Sequence, residues 1–179
     1  MTGRLRVLVF VCAAPALAGC ATMKPSDFGD GRPLFDPVEF FTGRASSSGV
    51  RENRRGAPVQ RVTTETIGRR QGDVLLLEQD LQVGNGRPQR RSWRLRRLDA
   101  HRFEATANDI IGVARGEAHG NVFHWSFTLA TSPGNPLKNV RMSQWMYLQP
   151  DERTMVNHST IRKLGFVVAQ VTEQFRRVE

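Results

Sequence analysis

Few residues in this 179-residue sequence combine a reactive type with a telling position. Cys20 is the first. It closes an apolar run, directly after Leu17, Ala18 and Gly19. A thiol there can take a thioether-linked diacylglyceryl group, and small residues before it let a peptidase reach the backbone. Asp109 is the second. In the stretch Asn108-Asp109-Ile110-Ile111-Gly112 it stands beside two isoleucines. A carboxylate in such company could be buried, with a raised pKa suited to acid–base work or to a headgroup contact. The same residues also suit an Asx turn or bulge ahead of Gly112, and that is the plainer reading. His119 and His124 stand five apart in an alternating stretch. A strand sends them to opposite faces, so they cannot hold one ion together. No Gly-x-Ser-x-Gly elbow is present, and no glycine loop ends in Lys-Ser/Thr. The expectation is therefore no enzyme, no metal and no other cofactor.

Cys20 belongs to a larger pattern. The chain opens MTGRLRVLVFVCAAPALAGC, with Arg4 and Arg6 giving a positive start. The apolar run from Leu5 to Ala18 is shorter than the ~20 residues a bilayer span takes. A charged start, a short apolar stretch and small residues before a cut describe a secretory signal peptide, residues 1–19. Leu17-Ala18-Gly19-Cys20 resembles the bacterial lipobox. That resemblance implies a lipidated Cys20 and attachment to a membrane through acyl chains, each buried methylene adding about 0.8 kcal/mol. Position 21 is alanine rather than the aspartate that retains such proteins at the inner membrane. The implied location is the cell envelope, at the outer membrane facing the periplasm. Cys12 falls in the segment to be removed. A mature chain then offers no free thiol for a disulfide, a nucleophile or a thiolate metal site.

The mature chain, residues 20–179, would hold 160 residues, which suits one domain. It carries 24 basic against 17 acidic side chains, and arginine outnumbers lysine 23 to 3 over the whole sequence. A basic surface suits nucleic acid or anionic membranes. A lipid anchor outside the cytosol removes nucleic acid from the expected partners. Arg87, Arg90, Arg91, Arg94, Arg96, Arg97 and Arg102 crowd one hairpin and are expected on its wet, headgroup-facing side.

The elements that must carry these residues are mostly strands. Residues 20–37 are rich in Pro and Gly without a period and read as a lipidated N-terminus with a flexible tether. Alternation begins near residue 38. In NVFHWSFTLA, Phe123, Trp125, Phe127 and Leu129 point one way and His124, Ser126 and Thr128 the other. Leu75, Leu77, Leu81 and Val83 share a face, as do Trp93 with Leu95, Phe103 with Ala105 and Ala107, and Val140, Met142, Met146 and Leu148. Turn signals separate these runs. Eight strands follow: 40–49, 59–68, 73–83, 89–98, 101–113, 120–131, 138–148 and 154–162. Leu164, Val167, Val168, Val171 and Phe175 fall at helical spacing, which predicts one C-terminal amphipathic helix over 165–177. Eight amphipathic strands in a meander shed their open edges by closing into a barrel. The expected class is all-β: an antiparallel meander closing into a lipocalin- or calycin-like barrel over 38–179, with that helix.

FFTGRASSSGV, NDIIGVARGEAHGNVFHWSF, QWMY and VNHSTIRKLGFVVAQVTEQF together resemble the bacterial domain-of-unknown-function family 3833, lipocalin-like envelope lipoproteins. The spaced residues Gly112, Ala114 and Gly116, with Gly120-Asn121, carry most of the likeness, which runs from about Phe40 to the C-terminus. It implies a barrel on an anchor, without a settled activity.

The leading functional expectation is a non-enzymatic envelope lipoprotein that binds or handles an acyl-chain lipid or fatty acid inside its barrel. The expected lining is Leu75, Leu77, Trp93, Leu95, Phe103, Phe123, Trp125, Phe127, Met142 and Met146, with Asp109 as the polar candidate. A structural or assembly protein with a packed core and a protein-binding surface is the alternative. A lipid-modifying enzyme using Asp109 or His158 is the third.

Overall fold

Each alternating run becomes a strand, and the strands close on themselves. The computed structural model describes residues 23–178, so the signal segment 1–19 and Cys20 lie outside the described residues. In chain order the strands are β1 (Gly43–Asn53), β2 (Pro58–Gln71), β3 (Val74–Val83), β4 (Gln89–Arg97), β5 (Arg102–Ala107), β6 (Ile110–His119), β7 (Val122–Leu129), β8 (Val140–Leu148), β9 (Thr154–Lys163) and β10 (Phe166–Val178). Each pairs antiparallel with the next, and β10 returns to β1 with Ser46 opposite Arg176 and Gly49 opposite Glu173. The result is a closed barrel, which leaves no strand edge free to recruit another chain.

The barrel has ten strands rather than the expected eight, for two reasons. The run over 101–113 is two strands, β5 and β6, separated at Asn108-Asp109. The segment expected as a helix over 165–177 is strand β10. Val167, Val168, Val171 and Thr172 are β-branched and stiff, which favours the extended chain. Leu164 and Gly165, with φ of 49° and 85°, form a two-residue turn that folds β10 straight back on β9. Period two was hidden there because the inward row is Ala169, Val171, Glu173 and Phe175. A glutamate in an inward position breaks the apolar pattern, and helical spacing then fits as well.

The tether expectation also changes. From Pro25 onward the chain is laid against the barrel. Pro25–Phe28 forms a 3-10 turn on the outer wall of β6 and β7. Phe28 packs its ring against the outward Trp145 and Tyr147, at centroid distances of 6.2 and 6.1 Å. The chain then crosses one end of the barrel. There a four-residue helix, α1 (Pro37–Phe40), is capped by Asp36, whose carboxylate accepts from the Val38 amide at 2.9 Å. Phe35, Val38, Phe40 and Phe41 are all buried and close that end as a plug. Phe40 meets Phe41 edge-on at 5.1 Å, and Phe41 meets Phe175 at 5.9 Å. Ion pairs Arg97–Asp36 and Arg70–Glu39 tie the plug to the ends of β4 and β2. The opposite end, at the β1–β2, β3–β4, β5–β6, β7–β8 and β9–β10 turns, is the mouth. Residues 23–178 thus contain a closed barrel with its plug and core.

The strap depends on close backbone approach at Gly120, in the β6–β7 turn. Its φ is +54°, and a β-carbon there would stand 1.8 Å from the Phe28 carbonyl oxygen. Gly120→Ala should therefore cost about 1–3 kcal/mol. We expect a lowered thermal midpoint and faster proteolysis within residues 23–31.

Candidate functional site

Closure turns one face of every strand into a shared interior, and the interior has two unlike walls. The apolar wall comes from β3 to β8. Leu75, Leu77, Trp93, Leu95, Phe103, Phe123, Trp125, Phe127, Met142 and Met146, the residues expected to line the barrel, are all buried there. Trp93 and Trp125 stack at 4.6 Å between centroids, and Phe127 sets its edge against both, at 5.3 and 5.4 Å. Gly116 makes room for this cluster, because a β-carbon there would meet the Phe123 ring at 2.6 Å.

The polar wall comes from β1, β2, β9 and β10, whose inward rows carry Ser47, Thr64, Thr66, Asn157, Ser159 and Glu173. Glu173 is its centre and is 7% exposed. Its carboxyl receives hydrogen bonds from Ser47 Oγ at 3.2 Å, Thr64 Oγ1 at 3.4 Å and Asn157 Nδ2 at 3.2 Å. Burial nevertheless wins and pushes the Glu173 pKa above its ordinary range, against the opposing pull of those bonds and of Arg91. Two amide side chains join the walls. The Trp93 indole N–H donates to Gln79 at 2.9 Å, and that of Trp125 to Gln144 at 2.5 Å. Gln144 donates onward to Ser159 Oγ at 2.7 Å, and Asn157 donates to the same oxygen at 3.1 Å. One buried acceptor, Asn157 Oδ1, has no partner. Leaving such an atom unmatched costs about 1–3 kcal/mol, so the site is ready for a donor.

A small cavity of about 50 Å³ lies between the walls, bounded by Trp93, Trp125, Gln144, Asn157 and Glu173. A wider groove of about 420 Å³ lies on the outer wall beside Pro25, Arg115 and Glu117, away from this buried array. Toward the mouth the cavity meets Arg91, which lines it. Arg91 holds Asp109 at 2.8 Å and places its guanidinium 5.7 Å from the Trp93 ring centre.

Asp109 is thus in the β5–β6 turn, paired with an arginine, and not isolated against Ile110 and Ile111. Of the arginines expected on the wet face, Arg91 instead points inward and is 8% exposed. Arg90, Arg96, Arg97 and Arg102 are each taken by a carboxylate. His101 stacks on His119 at 4.2 Å, while His124 bonds Ser143 and His158 bonds Thr172. Among the described residues no group of three or more metal-ligating side chains forms. Sequence reasoning missed Glu173, Asn157 and Gln144. For Glu173 and Asn157 the available signal was negative, since the runs around them alternated poorly while remaining rich in β-branched residues, whereas Gln144 stood in plain view on the inward row between Met142 and Met146.

The model of the family described as Protein of unknown function (DUF3833) matches residues 14–177, so the chain belongs to that family. No curated protein matches. Among solved structures, the S-type phycobiliprotein lyase CPES from Guillardia theta shares the fold with a TM-score of 0.59 at 9% identity, over 79% of this chain and 90% of that one.

The raised pKa of Glu173 makes stability depend on pH. The fold binds the Glu173 proton more tightly than the unfolded chain does. The contribution of Glu173 to stability should therefore be fully present below its ordinary carboxyl value of 4.5 and be lost as pH rises from there through the folded value. Urea midpoints between acid and mildly alkaline pH should show this decline, and Glu173→Gln should flatten it. A Glu173→Gln variant whose pH profile runs parallel to the parent's would mean that Glu173 does not carry this decline.

Proposed function

We propose, for this member of the DUF3833 family, a lipid-anchored envelope lipoprotein whose barrel holds an amphiphilic, acyl-chain ligand, acting by binding rather than catalysis. One observation carries the reading: a stacked aromatic wall faces a buried polar array with an unmatched acceptor, Asn157 Oδ1. An apolar tail would lie along Trp93, Trp125 and Phe127, each buried methylene contributing about 0.8 kcal/mol. A donor on the head would meet Asn157 Oδ1. Arg91, at the mouth side of the cavity, would meet an acidic head in place of part of its contact with Asp109. Cys20 would carry the anchor after removal of residues 1–19, at the outer membrane facing the periplasm. The solved relative is named as a lyase for phycobiliproteins, an instance of a similar barrel put to use on another molecule.

The cavity volume favours a second reading. About 50 Å³ holds a few waters, whereas drug-sized ligands occupy pockets of roughly 300–1,000 Å³. A tail can enter only if the Trp93–Trp125 stack opens. If it does not open, the barrel is a packed structural or assembly protein.

Two measurements separate these readings. Protein extracted from its own envelope and weighed intact should lack residues 1–19 and carry diacylglyceryl mass on Cys20. Delipidated protein titrated with a long-chain fatty acid should quench or shift its tryptophan emission at micromolar ligand, and Trp93→Ala should change the affinity by about tenfold. Unchanged emission up to the solubility limit, with no ligand retained in native mass spectra, would select the packed-core reading.

A further inference from the structure

The mouth of the barrel has a surface that the interior does not explain. Leu164 is 91% exposed, Leu137 82% and Phe166 76%. They lie on adjoining turns of the mouth. Leu137 belongs to the 3-10 turn Pro136–Lys138 that leads into β8, and Leu164 and Phe166 form the β9–β10 hairpin tip. Strands β8 and β9 are direct neighbours, with Arg141 opposite Arg162 just inside the mouth. The tip is also strained. Leu164 has a φ of +49°, a conformation that asparagine or glycine adopts more readily than a branched aliphatic residue. Neither the core nor the turn requires a leucine there, and folding alone would favour a polar residue.

Charge surrounds these apolar residues with one sign. Lys138 and Lys163 flank them, two of the three lysines in the sequence. Lys138, Arg162 and Lys163 have no carboxylate partner among the described residues. The asymmetry extends over both ends of the barrel. Turns at the mouth carry Arg54, Arg55, Arg87 and Lys138, with Asp109 their lone acid and already held by Arg91. Turns at the plugged end carry Asp73, Asp99, Asp151 and Glu152 against Arg153. The mouth is the basic pole, whereas the plugged end is of mixed charge, with Arg70, Arg97 and Arg102 paired to Glu39, Asp36 and Asp99.

The first described residues lie on the side of the same pole. Gly31 lies against Asn121 in the β6–β7 turn, at the plugged end. Pro25 lies beside Arg115 and Ser126, halfway along β6 and β7. Read backward, the strap therefore runs along the wall toward the mouth. Cys20 precedes Pro25 by five residues, at most about 17 Å of chain. The remaining half of β6, Arg115 to Ile110, covers about the same length at roughly 3.3 Å per residue.

We propose that the mouth docks on an anionic lipid surface, with Leu137, Leu164 and Phe166 entering the headgroup–acyl boundary and Lys138, Arg162 and Lys163 meeting lipid phosphates. The proposal rests on the envelope-lipoprotein reading for its setting, and on the exposed tip and its charge for its geometry. Docked this way, the basic mouth faces the membrane and the plugged end faces away. Apolar insertion and basic contact act together, since either alone binds weakly.

The test uses residues 23–178, which lack Cys20, so that the tip is read without any anchor. This protein should sediment with vesicles of equal parts phosphatidylglycerol and phosphatidylcholine, much less with phosphatidylcholine alone, and less as salt rises. Leu164→Asn combined with Phe166→Ser should lower partitioning by about tenfold or more, while the thermal midpoint stays level or rises because asparagine suits the turn. Leu98→Ser, on the plugged end, should leave partitioning unchanged. Failure to bind anionic vesicles overturns the proposal, as does binding that ignores the tip substitutions. A dimer that these substitutions break apart also overturns it, assigning the tip to a second copy. None of these outcomes bears on ligand in the barrel or lipid on Cys20, which the intact-mass and fluorescence measurements read separately.

Discussion

The structure depends on the pairing of β10 with both β9 and β1. Without it the meander is an open sheet with two exposed edges, and the inward faces of ten strands share no enclosed volume. With it, every main-chain row has a neighbour and the interior is sealed on all sides. The plug at one end follows from the same constraint, because a closed barrel has two ends where apolar side chains would otherwise meet water. Phe35, Val38, Phe40 and Phe41 cover one of them.

The strand that closes the barrel also brings in its least comfortable residue. Glu173 stands opposite Gly49 on β1 and Asn157 on β9, and both neighbours suit it. Gly49 offers no side chain, and Asn157 offers an amide donor. A packed apolar interior would be simpler and more stable than one with a buried acid, three hydroxyl or amide donors and an orphan acceptor. Natural sequences break local rules of this kind most often where a site is needed. The stacked tryptophans opposite fix the scale of that site, since little free volume remains while they touch.

The two ends of the barrel differ for reasons of their own. The plugged end is held by the ion pairs Arg70–Glu39, Arg97–Asp36 and Arg102–Asp99. Asp99 shows how firmly: amide hydrogen bonds from His101 and Arg102, with the Arg102 side chain, lower its pKa to about 2. The mouth keeps basic residues without local partners and shows three large apolar side chains to the solvent. This is a division of labour along one axis, with cohesion at one pole and unsatisfied surface at the other.

Much of the fold was legible in the residues. Period-two alternation around Trp93, Phe103, Trp125 and Met142 placed those side chains inside correctly, because apolar-in and polar-out is what a half-buried strand requires. The same rule failed on β10, and read β1 and β9 poorly, because inward positions there are Ser47, Asn157, Ser159 and Glu173. Polarity then no longer marks the wet face, and a helix fits the spacing of valines as well as a strand does. Asp109 drew notice because its neighbours in sequence are apolar, while a turn ahead of Gly112 was the plainer reading, and a turn is where it lies. Its partner in space, Arg91, comes from another strand, 18 residues away. The sequence by itself determined the all-β class, the inward aromatic wall and the pattern at Cys20, all of which depend on neighbours along the chain. Only the tertiary structure decided the strand number, the polar wall around Glu173 and the basic pole at the mouth. Each of these arises from residues far apart in sequence, which meet only once the sheet has closed.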